Sequence, residues 1–178
     1  FELNNGCICC SMKDDLVATL EQLILHKDRF DYILIETTGV ANPGPVINTF
    51  WSDDELGSSL HLDGVVAVVD AFNLEKNLIS STTAVDVRMQ IGYADRILLN
   101  KSDLVSDAYM DKIEKQIIQM NQTARLRRTS YAKLEPEWLL DINSFDRNTI
   151  QQNFDMWLGS MEYCEALGNN NRNDNNDN

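Results

Sequence analysis

Short apolar runs that each end in a polar, loop-forming tetrapeptide restrict this chain more than any other feature. Tyr32-Ile33-Leu34-Ile35 runs into Glu36-Thr37-Thr38-Gly39, and Arg96-Ile97-Leu98-Leu99 into Asn100-Lys101-Ser102-Asp103. Between them, Val65-Val66-Ala67-Val68-Val69-Asp70 is the clearest strand by β-branched content. The pattern predicts strands over 31–36, the first read as buried and parallel, over 65–70 and over 96–100. A fourth, basic strand is expected over 125–129. Helix-spaced segments separate them. Leu16, Leu20, Leu23 and Ile24 follow Ser11-Met12-Lys13-Asp14, which has the form of an N-cap, so a helix is expected over about 12–28. A second helix is expected after Asn42-Pro43-Gly44-Pro45, since proline suits a first turn, with loop over 53–59. A third covers 82–93, with Val85, Met89 and Tyr93 on one face. A fourth starts at a capping Asp107, with Met110, Ile113, Ile117 and Met120 as its apolar positions. This alternation predicts an α/β fold, a mostly parallel sheet flanked by helices.

Residues 1–160 are expected to form one domain, and 161–178 a linker or disordered tail, because the end of the chain is nearly all Asn and Asp. The chain opens on Phe1 without an initiator methionine and is expected to be a piece of a longer protein. Its net charge of −13 argues against nucleic acid and anionic membrane as partners. A nucleotide is compatible with that charge, because backbone amides and helix N-termini can hold phosphate.

Three of the four cysteines lie within Cys7-Ile8-Cys9-Cys10, directly after Asn5-Gly6. Such crowding fits a metal or redox site in a reducing compartment better than disulfides of a secreted protein, and the cytoplasm is the expected location. Thiolates suit zinc or cuprous copper. In an extended chain Cys7 and Cys9 face one way and Cys10 the other, so convergence requires a turn. Three ligands leave a fourth position open, as in a site that passes metal on. Buried apolar cysteines or a redox pair are the other readings. Cys164 reads as a packed or free thiol, and His26 and His61 lie in no ligand pattern.

Asn100-Lys101-Ser102-Asp103 follows a strand, where open α/β sheets bind ligands. The aspartate can accept two hydrogen bonds from a guanine edge. The asparagine can reach the base or brace the loop, and the lysine stem can lie along the purine. A polar turn is the plainer alternative. Glu36 similarly ends an apolar run, where a carboxylate can hold a magnesium-bound water, and Gly39 lets a backbone amide approach a terminal phosphate. Here the alternative is a strand end with a tight turn.

Taken together, Asn5-Gly6-Cys7-Ile8-Cys9-Cys10-Ser11, Ile35-Glu36 with Thr38-Gly39, Ala41-Asn42-Pro43-Gly44-Pro45, Leu62-Asp63-Gly64-Val65 with Val69-Asp70-Ala71, and Gly92-Tyr93-Ala94-Asp95-Arg96-Ile97-Leu98-Leu99 resemble the CobW-type metallochaperone GTPases. These are a branch of the P-loop GTPases related to the urease and hydrogenase nickel-insertion proteins. The resemblance covers about 1–145. It implies a P-loop NTPase-like G domain that uses GTP with Mg2+. Glu36 would be the carboxylate near magnesium, Gly39 would face the γ-phosphate, and Asn100, Lys101 and Asp103 would read guanine. Cys7, Cys9 and Cys10 would bind Zn2+ or a neighbouring divalent metal, destined for a client metalloprotein; an oligomer is compatible. The family's Gly-x-x-x-x-Gly-Lys-Ser/Thr phosphate loop occurs nowhere in the chain and is expected upstream of Phe1. Histidines that close members carry near Asn73 and Ser130 are absent. A metal-binding switch or scaffold without turnover is the alternative function, and a structural α/β domain a third.

Overall fold

Val66–Asp70 (β1), Arg96–Asn100 (β2) and Arg125–Arg128 (β3) form a parallel sheet in the order β1-β2-β3. The register pairs Val68 with Leu98 and Leu98 with Arg127. This computed structural model describes residues 10–39, 41–52, 56 and 59–145. Helices among the described residues include Cys10–Ile24 (α1), Gly44–Ser52 (α2), Leu74–Ile79 (α3), Ala84–Tyr93 (α4) and Asp107–Met120 (α5). Among the described residues no helix is long and apolar enough to cross a membrane. The chain divides into two units, Phe1–Ile142 and Asn143–Asn178. Of the second, only 143–145 are described, so the Asn-rich tail lies outside the described residues.

The sheet is built around β2, whose Ile97, Leu98 and Leu99 are all buried. Ala67, Val69, Ile97 and Leu99 share one core with Leu74 and Leu78 of α3, Val87 and Ile91 of α4, and Met110, Ile113 and Ile117 of α5. α5 follows the sequence expectation, because its apolar residues recur at three and four and form one stripe. Its cap differs. Ser106, not Asp107, is the extended residue before the helix, and its Oγ accepts from Tyr109 N at 3.4 Å. Two of the three arginines of the basic strand β3 have acidic partners. Arg127 pairs with Glu135 at 2.5 Å, and Arg128 with Asp111 and Glu114.

Several expectations need correction. The run 31–36 has no regular secondary structure and belongs to no ladder among the described residues. Ile33 and Ile35 pack against a second core made by Leu16, Leu20 and Leu56, while Leu34 is 95% exposed. An apolar run becomes a strand only where another strand lies alongside. On α4 the expected face is the wrong one: Val85 is 66% exposed, Met89 and Tyr93 are also exposed, and Val87 and Ile91 face the core. That helix carries two apolar stripes, and only the sheet selects between them. α1 begins at Cys10, so Ser11 lies within its first turn rather than capping it. Leu56 and Ser59 are helical where loop was expected. α3 had no counterpart in the sequence reading. α2 starts as expected, with Pro45 in its first turn and Asn42 Oδ1 accepting from Gly44 N at 2.9 Å.

Candidate functional site

The three parallel strands end on the same side, and their carboxyl-terminal loops are cross-linked there. Asn100 ends the central strand. Its carbonyl accepts from Ala71 N at 3.0 Å, and its Oδ1 accepts from Ala132 N at 3.0 Å. Asn100 therefore braces the loops that follow β1 and β3, which is one of the two roles open to it.

Lys101 has φ 63° and ψ 36°, the left-handed region. For a lysine this conformation costs on the order of 1–3 kcal/mol and persists only where surroundings enforce it. The enforcement is visible on each side. Ser102 N donates to Thr129 O at 3.2 Å, Leu104 N donates to Lys101 O at 3.1 Å, and the hydroxyls of Ser102 and Ser130 lie 2.8 Å apart. The Lys101 ammonium meets Asp70 Oδ2 at 2.7 Å. Asp103 sits in the short 3-10 turn Ser102–Leu104 with its side chain exposed.

Two contributors were given no site role by the sequence. Asp70 ends β1. Burial pushes its carboxyl pKa up, but hydrogen bonds from Lys101 and Asn73, with the lysine charge, outweigh that and hold it below the usual carboxylate value. An acidic residue closing the strongest strand was the available signal. The loop after β3 gave none. Tyr131 and Ala132 both take positive φ, 57° and 51°, without a glycine or asparagine to announce it.

Glu36 ends the apolar run and is exposed. The carbonyls of Gly39 and Ala41 accept from Gln90 Nε2 of α4 at 3.3 and 2.9 Å. Among the described residues, chain neighbours aside, no atom stands within 4 Å of where a Cβ on Gly39 would be, so there is room there for a ligand to approach the backbone. The two candidate loops are thus tied to different neighbours: the glycine loop to α4, the asparagine-aspartate loop to the ends of β1 and β3.

Cys7 and Cys9 lie outside the described residues, and Cys10 is described only as the first residue of α1. Among the described residues no group of three or more His, Cys, Asp or Glu is placed to hold a metal ion. His26 and His61 are both exposed.

The family model for the CobW/HypB/UreG nucleotide-binding domain matches residues 1–128. The chain is 40% identical over 144 residues to zinc-regulated GTPase metalloprotein activator 1 of Schizosaccharomyces pombe, which takes in 80% of this chain and 34% of that protein. It is 37% identical over 147 residues to zinc chaperone YjiA of Escherichia coli, 80% of this chain and 45% of that one. Among solved structures it is similar to the Zn(II)-bound YjiA GTPase from E. coli, with a TM-score of 0.64 and 33% identity over 81% of this chain and 42% of that chain. The chain spans less than half the length of each of these relatives.

Proposed function

The chain belongs to the CobW/HypB/UreG nucleotide-binding domain family, and from that premise we propose that it is the guanine-nucleotide-binding core of a GTP-hydrolysing metallochaperone that delivers zinc to a client metalloprotein. Its fold is P-loop NTPase-like. The observation that carries the reading is the setting of Asn100-Lys101-Ser102-Asp103. It leaves the central strand at its carboxyl end, Asn100 and Ser102 fasten it to the neighbouring loops, and the Asp103 carboxylate is left exposed.

Asp103 accepts the paired donors of the guanine edge, which adenine lacks, so a site built around it rejects adenine by leaving groups unpaired. Lys101 lays its stem along the purine. The exposed carboxylate of Glu36 suits Mg2+, a hard cation that prefers oxygen ligands. When bound, the ion neutralises charge on the terminal phosphates. Gly39 offers a backbone amide to the γ-phosphate with no side chain in the way. Cys7, Cys9 and Cys10 take the zinc as cargo, a role supported by the names of the relatives and by the softness of thiolate. A reducing compartment such as the cytoplasm suits those thiols.

The test is nucleotide preference in the full-length protein. GTP should bind more tightly than ATP, and Asp103→Asn should weaken GTP and relax the choice of base. Equal affinity of the unaltered protein for GTP and ATP would remove the basis for this function.

A further inference from the structure

Asp70 divides its two carboxylate oxygens between two tasks. Oδ1 accepts from the backbone N–H groups of Phe72 at 3.0 Å and Asn73 at 3.2 Å, which closes the turn into α3. Oδ2 accepts from Asn73 Nδ2 at 2.8 Å and from Lys101 Nζ at 2.7 Å. The carboxylate is therefore fixed by its own loop before it meets the lysine. Lys101 is fixed at its other end by a left-handed backbone hydrogen-bonded on both sides. A side chain pinned at both ends has little rotamer freedom left. Its ammonium is held while the side chain as a whole remains 47% exposed.

An ion pair this exposed contributes little to folding, because water screens it and ordering a lysine opposes it. Its value lies in placement. A ligand that stacks on a free lysine must first immobilise it, whereas one that meets an ordered stem does not. We propose that Asp70 is a positioning residue of the guanine site: it acts through Lys101, holding the lysine stem in place for the purine and so raising guanine-nucleotide affinity. The inference rests on the guanine reading of Asn100-Lys101-Ser102-Asp103. It adds a residue from a different strand to that site. It also ties the turn into α3 to the base, so a shift in that turn is felt as a change in nucleotide affinity.

The split of tasks supplies the test. Asp70→Asn can keep Oδ1 on the two backbone donors while its Nδ2 turns a donor toward Lys101 and Asn73; the Asn73 amide can rotate to present its oxygen, whereas the lysine ammonium has no acceptor, so the anchor is removed and the backbone bonds of the turn are spared. Fluorescently labelled GDP is titrated into the full-length protein, with ADP as the comparison. Asp70→Asn should lower GDP affinity by about 3- to 10-fold, with its melting temperature near that of the parent. In a Lys101→Met background, which keeps an apolar stem without the ammonium, Asp70→Asn should cost nothing further, the mark of residues acting as one unit. Lys101→Arg can still reach the carboxylate and should retain more affinity than Lys101→Met, a reading that leaves Asp70 untouched. An unchanged GDP affinity in Asp70→Asn overturns the inference. So does an equal loss with and without the lysine, which would mark Asp70 as merely structural, and so do equal losses for the arginine and methionine variants. A parent protein that takes ADP as readily as GDP overturns the guanine site itself; intact base preference beside an indifferent Asp70→Asn overturns only the role of Asp70.

Discussion

The side-chain amide nitrogen of Asn121 lies 2.9 Å from the carbonyl oxygen of Ala94, in the buried interior. The same nitrogen reaches Ile91 O at 2.8 Å, while Oδ1 accepts from the backbone N–H groups of Thr123 and Ala124. One side chain thus closes the end of α4 and shapes the turn that leads into β3. Asn121→Ala would strand these groups away from water and should cost about 2–3 kcal/mol of stability. Urea denaturation of the two proteins measures it; a midpoint unchanged by the substitution would mean that water replaces the asparagine.

Gly64 stands against Ile142. A Cβ at position 64 would lie 2.9 Å from Ile142 Cδ1 and 3.1 Å from Ile142 Cβ. The first contact can yield by rotating a side chain, but the second cannot. Gly64→Ala should therefore destabilise by about 1–3 kcal/mol through overpacking. Trimming the opposing residue with Ile142→Ala in the same chain should recover part of the loss. Two independent, additive penalties in that pair would show that the clash is not what matters.

A clasp between α3 and α5 predicts how stability responds to pH. Glu75 accepts from Lys112 Nζ at 2.6 Å and from Tyr109 Oη at 3.1 Å. The Lys112 contact, joined by that of Tyr109, holds the Glu75 carboxyl below its ordinary pKa. A carboxyl lowered by folding adds stability that is present above its unfolded value of 4.5 and is lost as pH falls through the folded value. Lys112 is raised by Glu75, and Tyr109 is raised by burial and by Glu75, so their share is present below 10.5 and 10.0 and is lost as pH climbs through the raised values. The melting temperature of Glu75→Gln, relative to the parent, should be lowest between these windows, and the gap should narrow at both extremes. A gap that does not vary with pH would count against the clasp.

Zinc should bind one ion per chain through Cys7, Cys9 and Cys10, releasing protons and weakening as pH falls, because the metal takes thiolate over thiol. Each single Cys→Ser change should weaken binding strongly, whereas Cys164→Ser should do little. If nucleotide and metal sites are coupled as is typical, zinc affinity in the GTP and GDP forms should differ by about 1–3 kcal/mol. Competitive titration of the full-length protein in each nucleotide state reads all three. A triple serine variant that bound zinc as tightly as the parent would sink the metal role.

What the sequence determined by itself is local. The β-branched run over 65–70 marks β1, and the three-and-four spacing of Met110, Ile113 and Ile117 marks both α5 and its buried face. The motif Asn100-Lys101-Ser102-Asp103 could be placed at a strand's carboxyl end because strand and loop are adjacent in the chain. Backbone propensity, side-chain periodicity and turn chemistry all act within a few residues, so a linear reading reaches them.

The tertiary structure decided what depends on distant neighbours. Ile33 and Ile35 look like strand residues, yet a ladder needs a second backbone alongside, and this segment packs its alternate side chains on helices instead. Val85 and Val87 are equally apolar, and burial against the sheet separates them. Arg127 and Arg128 look unfit for a strand until Glu135, Asp111 and Glu114 arrive from elsewhere. Lys101 adopts its left-handed backbone, and Asp70 reaches it across 31 positions of sequence, only because β1 and β2 end side by side. A hydrogen bond of a few ångströms is blind to separation along the chain, so the partners of the candidate site became readable only once the sheet had brought its strand ends together.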